Sequence, residues 1–127
     1  MIVSLHVATG AAAGALARSR PIALLLGPLV HLAGDRVPHD DIHDLGFEVG
    51  SGLAALALLA ARRGPLDPAV LGGATAAAPD LEHVVPWLRP RGRKFFHREG
   101  NVDSGMSTGL QLLLAGGIVG FLFWRRP

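Results

Sequence analysis

The chain has 127 residues, half of them hydrophobic, only 17% charged, no cysteine, and a formal charge of +2. At 13.2 kDa and a mean hydropathy of +0.38 it has room for one domain and is too apolar to stay disordered. The lack of cysteine excludes a disulfide framework, a thiolate nucleophile, a Cys-based zinc finger and an iron–sulfur cluster. The pI near 10.4 reflects a small Arg excess with no Cys or Tyr to titrate, so it is no argument for nucleic-acid binding.

Five apolar stretches alternate with polar connectors. The first runs from Ile2 to Ala17 and closes at Arg18-Ser19-Arg20. No basic segment precedes it, so it does not read as a secretory signal peptide. The second, Pro21 to Ala33, enters on a proline suited to a first helical turn and ends in the polar run from Asp35 to Asp44. The third spans about Gly46 to Ala61 and stops at Arg62-Arg63-Gly64-Pro65. Asp67-Pro68 reads as N-cap plus first-turn proline for a fourth, which ends at Pro79. A polar connector from Asp80 to Gly105 precedes the fifth, Met106 to Trp124, with Asp103 or Ser104 as its expected N-cap.

None of these runs alternates with the period of a strand, so all are expected to be helices. Only the last approaches the roughly 20 residues needed to cross a bilayer unaided. Few charges interrupt any run and none has the polar stripe of a surface helix. Gly10-Ala11-Ala12-Ala13-Gly14 and Gly116-Gly117-Ile118-Val119-Gly120 carry small-xxx-small spacings that let helices approach closely in lipid. The expected architecture is therefore a compact all-α membrane bundle of about five helices in a single domain, with a soluble helical bundle as the alternative.

Such a bundle sorts its polar residues by end. One end receives Arg18, Arg20, Arg62, Arg63, Arg125 and Arg126; the other receives every His, the Pro38–Asp44 loop and the Asp80–Gly105 connector. Six of the twelve basic residues fall on each side, so the positive-inside count is a tie. The short Arg-marked turns, almost free of acid, favour the first end as the cytoplasmic one.

The densest chemistry is the string from His31 to His43. His31 and Asp35 are four apart and project from one side of a helix, where they can share a metal ion. Pro38 turns the chain and can swing His39 back toward the pair. Imidazole nitrogens with a carboxylate oxygen are a donor set for zinc or a similar divalent ion. The plainer alternative leaves Asp35 and His39 as interfacial groups and Asp40, Asp41 and His43 in a solvated loop. Pro79-Asp80-Leu81-Glu82-His83 ends the fourth run in the same way; Asp80 and His83 share a face there, or Asp80 merely caps a short helix. His6 alone would read as a satisfied core histidine, but its depth matches these strings. His97 can complete a metal shell, and Arg98 can hold a phosphate or carboxylate bidentately. The basic run Arg89 to Lys94, beside Trp87, Phe95 and Phe96, fits anionic lipid head groups better than nucleic acid.

His6 in a small-residue first helix, the His31–His39 string with Asp41, Pro79-Asp80 and His97-Arg98 resemble the bacterial membrane-bound, metal-dependent-hydrolase-like family. That family is distantly similar to the zinc-dependent phospholipase C superfamily. The resemblance covers the whole chain and implies a multi-pass protein of the bacterial inner membrane, with helix-borne ligands around a divalent ion, zinc above all. His6, His31, Asp35, His39, Asp80 and His97 stand at ligand-like positions. Larger members carry a His-Arg-x-x-x-His-Ser string where this chain has no second His after His97-Arg98, and their Pro-Asp string precedes the His-xxx-Asp string.

The expected activity is metal-assisted hydrolysis of a lipid-linked or other phosphoester, with Asp41, Glu82 or Asp80 as general base and Arg98 steadying the developing charge. No serine-hydrolase elbow, phosphate loop or dinucleotide fingerprint is present. The competing class is a non-catalytic membrane protein whose His/Asp cluster is structural or lines an ion or proton path, working as an assembly subunit, as a homo-oligomer or against a larger membrane partner.

Overall fold

A computed structural model describes residues 1–85 and 105–125, apart from the side chain of His83. It is all-helical, with α1 (Val3–Ala17), α2 (Arg20–Gly34), α3 (Leu45–Arg63), α4 (Pro68–Ala77), a 3-10 turn (Ala78–Asp80), the one-turn α5 (Leu81–Val84) and α6 (Thr108–Trp124). Among the described residues the five long helices match the five apolar runs. Trp87, the Arg89–Lys94 run, Phe95, Phe96, His97, Arg98, Asp103, Ser104 and Arg126 lie outside the described residues.

Local chemistry explains most boundaries. Pro21 sits in the first turn of α2 and Pro68 in that of α4, where a missing N–H costs nothing. Asp67 accepts from the Ala69 N–H at 2.8 Å and Asp44 from the Phe47 N–H at 2.9 Å, capping α4 and α3. Arg62 and Arg63 in the last turn of α3 suit its negative end.

Two boundaries differ from expectation. The last helix starts at Thr108 with Ser107 as its cap, accepting from the Leu110 N–H at 3.3 Å, rather than at Met106 behind Asp103 or Ser104. The cause is a short parallel bridge between His39 and Met106: the Met106 N–H donates to the Pro38 carbonyl at 2.8 Å and the Asp40 N–H to the Met106 carbonyl at 3.1 Å. That pairing keeps Gly105–Met106 extended. It leaves α6 with 17 residues, and α3, at 19, is the one described helix long and apolar enough to cross a membrane.

The long helices run alternately up and down. One end gathers the start of α1, the close of α2, the 35–44 loop, the start of α3, the close of α4 and the start of α6. At the opposite end Arg20 Nε donates to the Leu66 carbonyl at 2.9 Å and Arg62 Nε to the Phe123 carbonyl at 3.1 Å. Arg63 there binds Asp67 at 3.1 Å and the Leu122 and Arg125 carbonyls at 3.2 and 2.9 Å, satisfying the orphan acceptors that close α6. The sorting of arginines to one end and histidines to the other is thus realised among the described residues.

α1 lies at the centre, packed against α2, α3, α4 and α6. Its contact with α4 is backbone on backbone: a Cβ on Gly10 would collide with the Gly72 carbonyl and Ala76, one on Gly72 with the Gly10 carbonyl, and one on Gly14 with the Pro68 carbonyl. The Gly10/Gly14 spacing therefore does what small-xxx-small spacings do. The α6 spacing does not, within this chain: Gly116, Gly117 and Gly120 all face open space. Ile2, Leu5, Ala8, Ala11, Leu59, Ala69, Val70, Ala115, Val119 and Leu122 form the core, while Leu25, Leu29, Leu53, Leu113 and Phe121 point outward. Small residues dominate the seam between α1 and α4, and many large apolar side chains lie on the outer faces.

Candidate metal centre

Three helices carry the site on rows spaced by four residues, which align along one side of a helix. On α1 the row is His6, Gly10, Gly14; on α2 it is Ala23, Gly27, His31 and then Asp35, just past the helix end; on α4 it is Pro68, Gly72, Ala76 and then Asp80. In each row small residues allow close approach in the middle and an ionisable group stands at the site end. Gly27 is as constrained as the α1–α4 pair, since a Cβ there would meet Thr75 and the Gly72 carbonyl.

At the site end, ligand atoms of His6, His31 and Asp80 lie within 4.8 Å of one another, close enough to hold one metal ion. Both imidazoles are fully buried and stack, with ring centroids 3.9 Å apart and planes 25° apart. Asp35 joins the two: its Oδ1 is 3.0 Å from His6 Nε2 and its Oδ2 is 3.1 Å from His31 Nε2.

The hydrogen bonds constrain the ring protons. His31 Nδ1 lies 2.8 Å from the Ala76 carbonyl, an acceptor only, so Nδ1 carries the hydrogen. Its Nε2 then faces the Asp35 carboxylate, and two lone-pair-bearing groups face each other unless a cation, proton or metal, lies between or beside them. His6 Nε2 donates to Asp35, which leaves Nδ1 as the lone-pair nitrogen; it is buried with no hydrogen-bond partner among the described residues. A histidine that donates one nitrogen to a carboxylate or carbonyl and keeps the other for a ligand is the usual arrangement around a bound metal. The donor set, two imidazoles and a carboxylate, suits zinc.

Asp35 lies within 3.1 Å of both histidines and also accepts from the Met1 amino group at 2.9 Å, whereas the other expected site residues stand further out. His39 lies on the far side of that amino group, in contact with it, with Nδ1 donating to the Val37 carbonyl at 2.6 Å and Nε2 3.3 Å from Asp41. Pro38 thus returns His39 toward the cluster, but not into the group of converging ligand atoms. Asp41 is 74% exposed at the rim, whereas Glu82 is buried on α5. Asp80 occupies the N-cap position of α5 without a capping hydrogen bond. His97 and Arg98 lie outside the described residues.

Gln111 on α6 has no counterpart in the sequence reading. It is fully buried, accepts from the Ile2 N–H at 3.0 Å, and donates to the Asp40 carbonyl at 2.7 Å and the Met106 carbonyl at 3.1 Å. It ties the start of α1, four residues before His6, to the loop that follows His39. One signal was available: a lone amide in an otherwise apolar helix needs hydrogen-bond partners when buried. No protein-family model, curated protein or solved structure matches this chain.

Proposed function

We propose that the chain is a membrane-embedded, metal-dependent hydrolase that acts on a phosphoester, a lipid-linked one being the substrate best matched to its setting. The observation that carries this reading is the convergence of His6, His31 and Asp80 within 4.8 Å from three different helices, each histidine with one nitrogen already committed to an orienting acceptor. Three protein ligands leave room for water or substrate at a fourth position, as catalytic sites need. When bound, a divalent ion supplies Lewis acidity toward a phosphoryl oxygen and acidifies water.

The protein's own groups divide the remaining work. His6, His31 and Asp80 would hold the ion, with the Asp35 carboxylate fixing the tautomer of His6 and the Ala76 carbonyl that of His31. Asp41, 74% exposed at the rim and 3.3 Å from His39 Nε2, is the carboxylate placed to serve as general base. Support for lipid surroundings comes from the outward faces: Leu25 is 71% exposed and Leu113 75%, and α3 combines sufficient length with a mostly unburied apolar surface.

A second reading rests on the 3.1 Å contact between His31 Nε2 and Asp35. With a proton in place of a metal the two form a buried ion pair, and the cluster is structural. Elemental analysis of the detergent-purified full chain separates them. About one zinc, manganese or iron ion per chain, absent from His31→Ala and Asp80→Ala, is the expected result. No metal even after it is added back would leave the ion-pair reading. The metal-loaded chain should then hydrolyse lipid phosphoesters, and Asp80→Asn or a chelator should abolish that.

A further inference from the structure

We propose that the arginine end of the bundle is a docking surface for anionic phospholipid head groups. This rests on the membrane setting proposed above, not on the hydrolase activity. Among the described residues Arg18, Arg20, Arg62, Arg63 and Arg125 gather there, against a single acid, Asp67, whose carboxylate is taken by Arg63 and the Ala69 N–H. The opposite end has the reverse balance: Asp35, Asp40, Asp41, Asp44, Glu48, Asp80 and Glu82 accompany Arg36 among the described residues. Among the described residues, positive charge in excess of acid is thus gathered at the arginine end.

The arginines are held ready for such a ligand. Arg20 and Arg62 are each anchored through Nε to a backbone carbonyl, bonds that do not use their terminal NH2 groups. Guanidinium groups so fixed lose little freedom on binding a phosphate, which they match bidentately. The Arg62 guanidinium lies 5.8 Å from the centre of the Phe123 ring and that of Arg125 5.0 Å from Phe121, with Trp124 fully outward beside them. Leu16 and Leu66 are also exposed at this end. Cations interleaved with outward aromatic and aliphatic side chains are the pattern of a head-group boundary, where charge meets phosphate and ring meets acyl chain. An acidic protein or a nucleic acid would satisfy the charges but not the apolar side chains between them.

Trp124 can report the occupant directly, because the chain's only other tryptophan is Trp87. The full-length Trp87→Phe variant is reconstituted into vesicles, and quenching of Trp124 is measured with brominated phosphatidylcholine and brominated phosphatidylglycerol. The expected result is about a fivefold preference for phosphatidylglycerol, the factor associated with one well-placed arginine. The preference should fall toward one at about 1 M salt, where screening reaches only about 3 Å. It should fall likewise in the quadruple variant Arg18→Gln/Arg20→Gln/Arg62→Gln/Arg125→Gln, with circular dichroism checking that the helices remain, while inorganic phosphate leaves it unchanged. Equal quenching by the two lipids, a preference that survives in the folded quadruple variant, or displacement by inorganic phosphate would overturn the proposal. Quenching by neither lipid would refute the membrane setting itself, and the proposal with it.

Discussion

Replacing Gln111 by Leu tests whether the site end is held together as described. The substitution nearly preserves volume and removes three hydrogen bonds. The three partners do not lose equally. The Ile2 N–H is fully buried, so stranding it costs about 1–3 kcal/mol. The Met106 carbonyl keeps the Asp40 N–H at 3.1 Å, and the carbonyl of exposed Asp40 can take water, so together they cost under about 1 kcal/mol. Leucine packing against Ile2 returns part of this, leaving a net loss of about 2 kcal/mol. For a chain of this size that is about 8 °C in melting temperature. Thermal unfolding in detergent, followed by helical circular dichroism, reads it out. Gln111→Glu should also be destabilised near neutral pH, because a carboxylate would face two carbonyls. It should recover as pH falls and a protonated carboxyl again offers a donor. A shift of under about 2 °C for Gln111→Leu, or no pH dependence for Gln111→Glu, would refute the clamp.

The other expectations are narrower. Asp35→Asn should lower metal affinity by about 10–100-fold without abolishing it, since Asp35 orients His6 while His6, His31 and Asp80 bind; isothermal titration with zinc checks this. Zinc at about 100 times its dissociation constant should stabilise the wild type by about 2.7 kcal/mol and His31→Ala not at all, as read by melting with and without chelator. Gly72→Ala should destabilise by at least about 2 kcal/mol, because its Cβ has no room against the Gly10 carbonyl, while Gly117→Ala, in open space on α6, should stabilise by about 0.5–1 kcal/mol. Arg63→Ala should cost about 3 kcal/mol, since it strands Asp67 and the carbonyls that close α6; comparative melts decide both cases.

Much of this was legible in the sequence because it was local. Proline at the starts of α2 and α4, Asp67 as a cap and arginines at the turns are signals a few residues long, and each marks a helix end. The His31–Asp35 pair was legible for the same reason, as both lie on one side of one helix. What escaped depends on contacts between segments far apart. The parallel bridge of His39 to Met106 delays α6, and nothing near Asp103 or Ser104 signals it. Asp80 joins His6 and His31 only through the family resemblance; its own string pairs it with His83 or makes it a cap, because its nearness to His6 depends on how α4 lies against α1. The turn at Pro38 is legible and does return His39 toward His31 and Asp35, but its contact with the Met1 amino group depends on where α1 begins in space.

The glycine seam and the site are one device. α1 and α4 run in opposite directions, so the register that sets Gly14 against Pro68 and Gly10 against Gly72 and Ala76 carries His6 to the level of Asp80. α2 enters the same register through Gly27 against Gly72, which brings His31 to the Ala76 carbonyl and Asp35 to His6. Three ligands can therefore converge from helices whose axes lie close only because side chains are missing along the seam. A bulkier residue at Gly72 would separate α4 from both α1 and α2 at once. Its effect should then exceed its cost in stability: Gly72→Ala should lose metal affinity even under conditions where it remains folded. Gly27→Ala should do the same through His31 alone. If Gly72→Ala binds zinc as tightly as the wild type, the seam does not set the site.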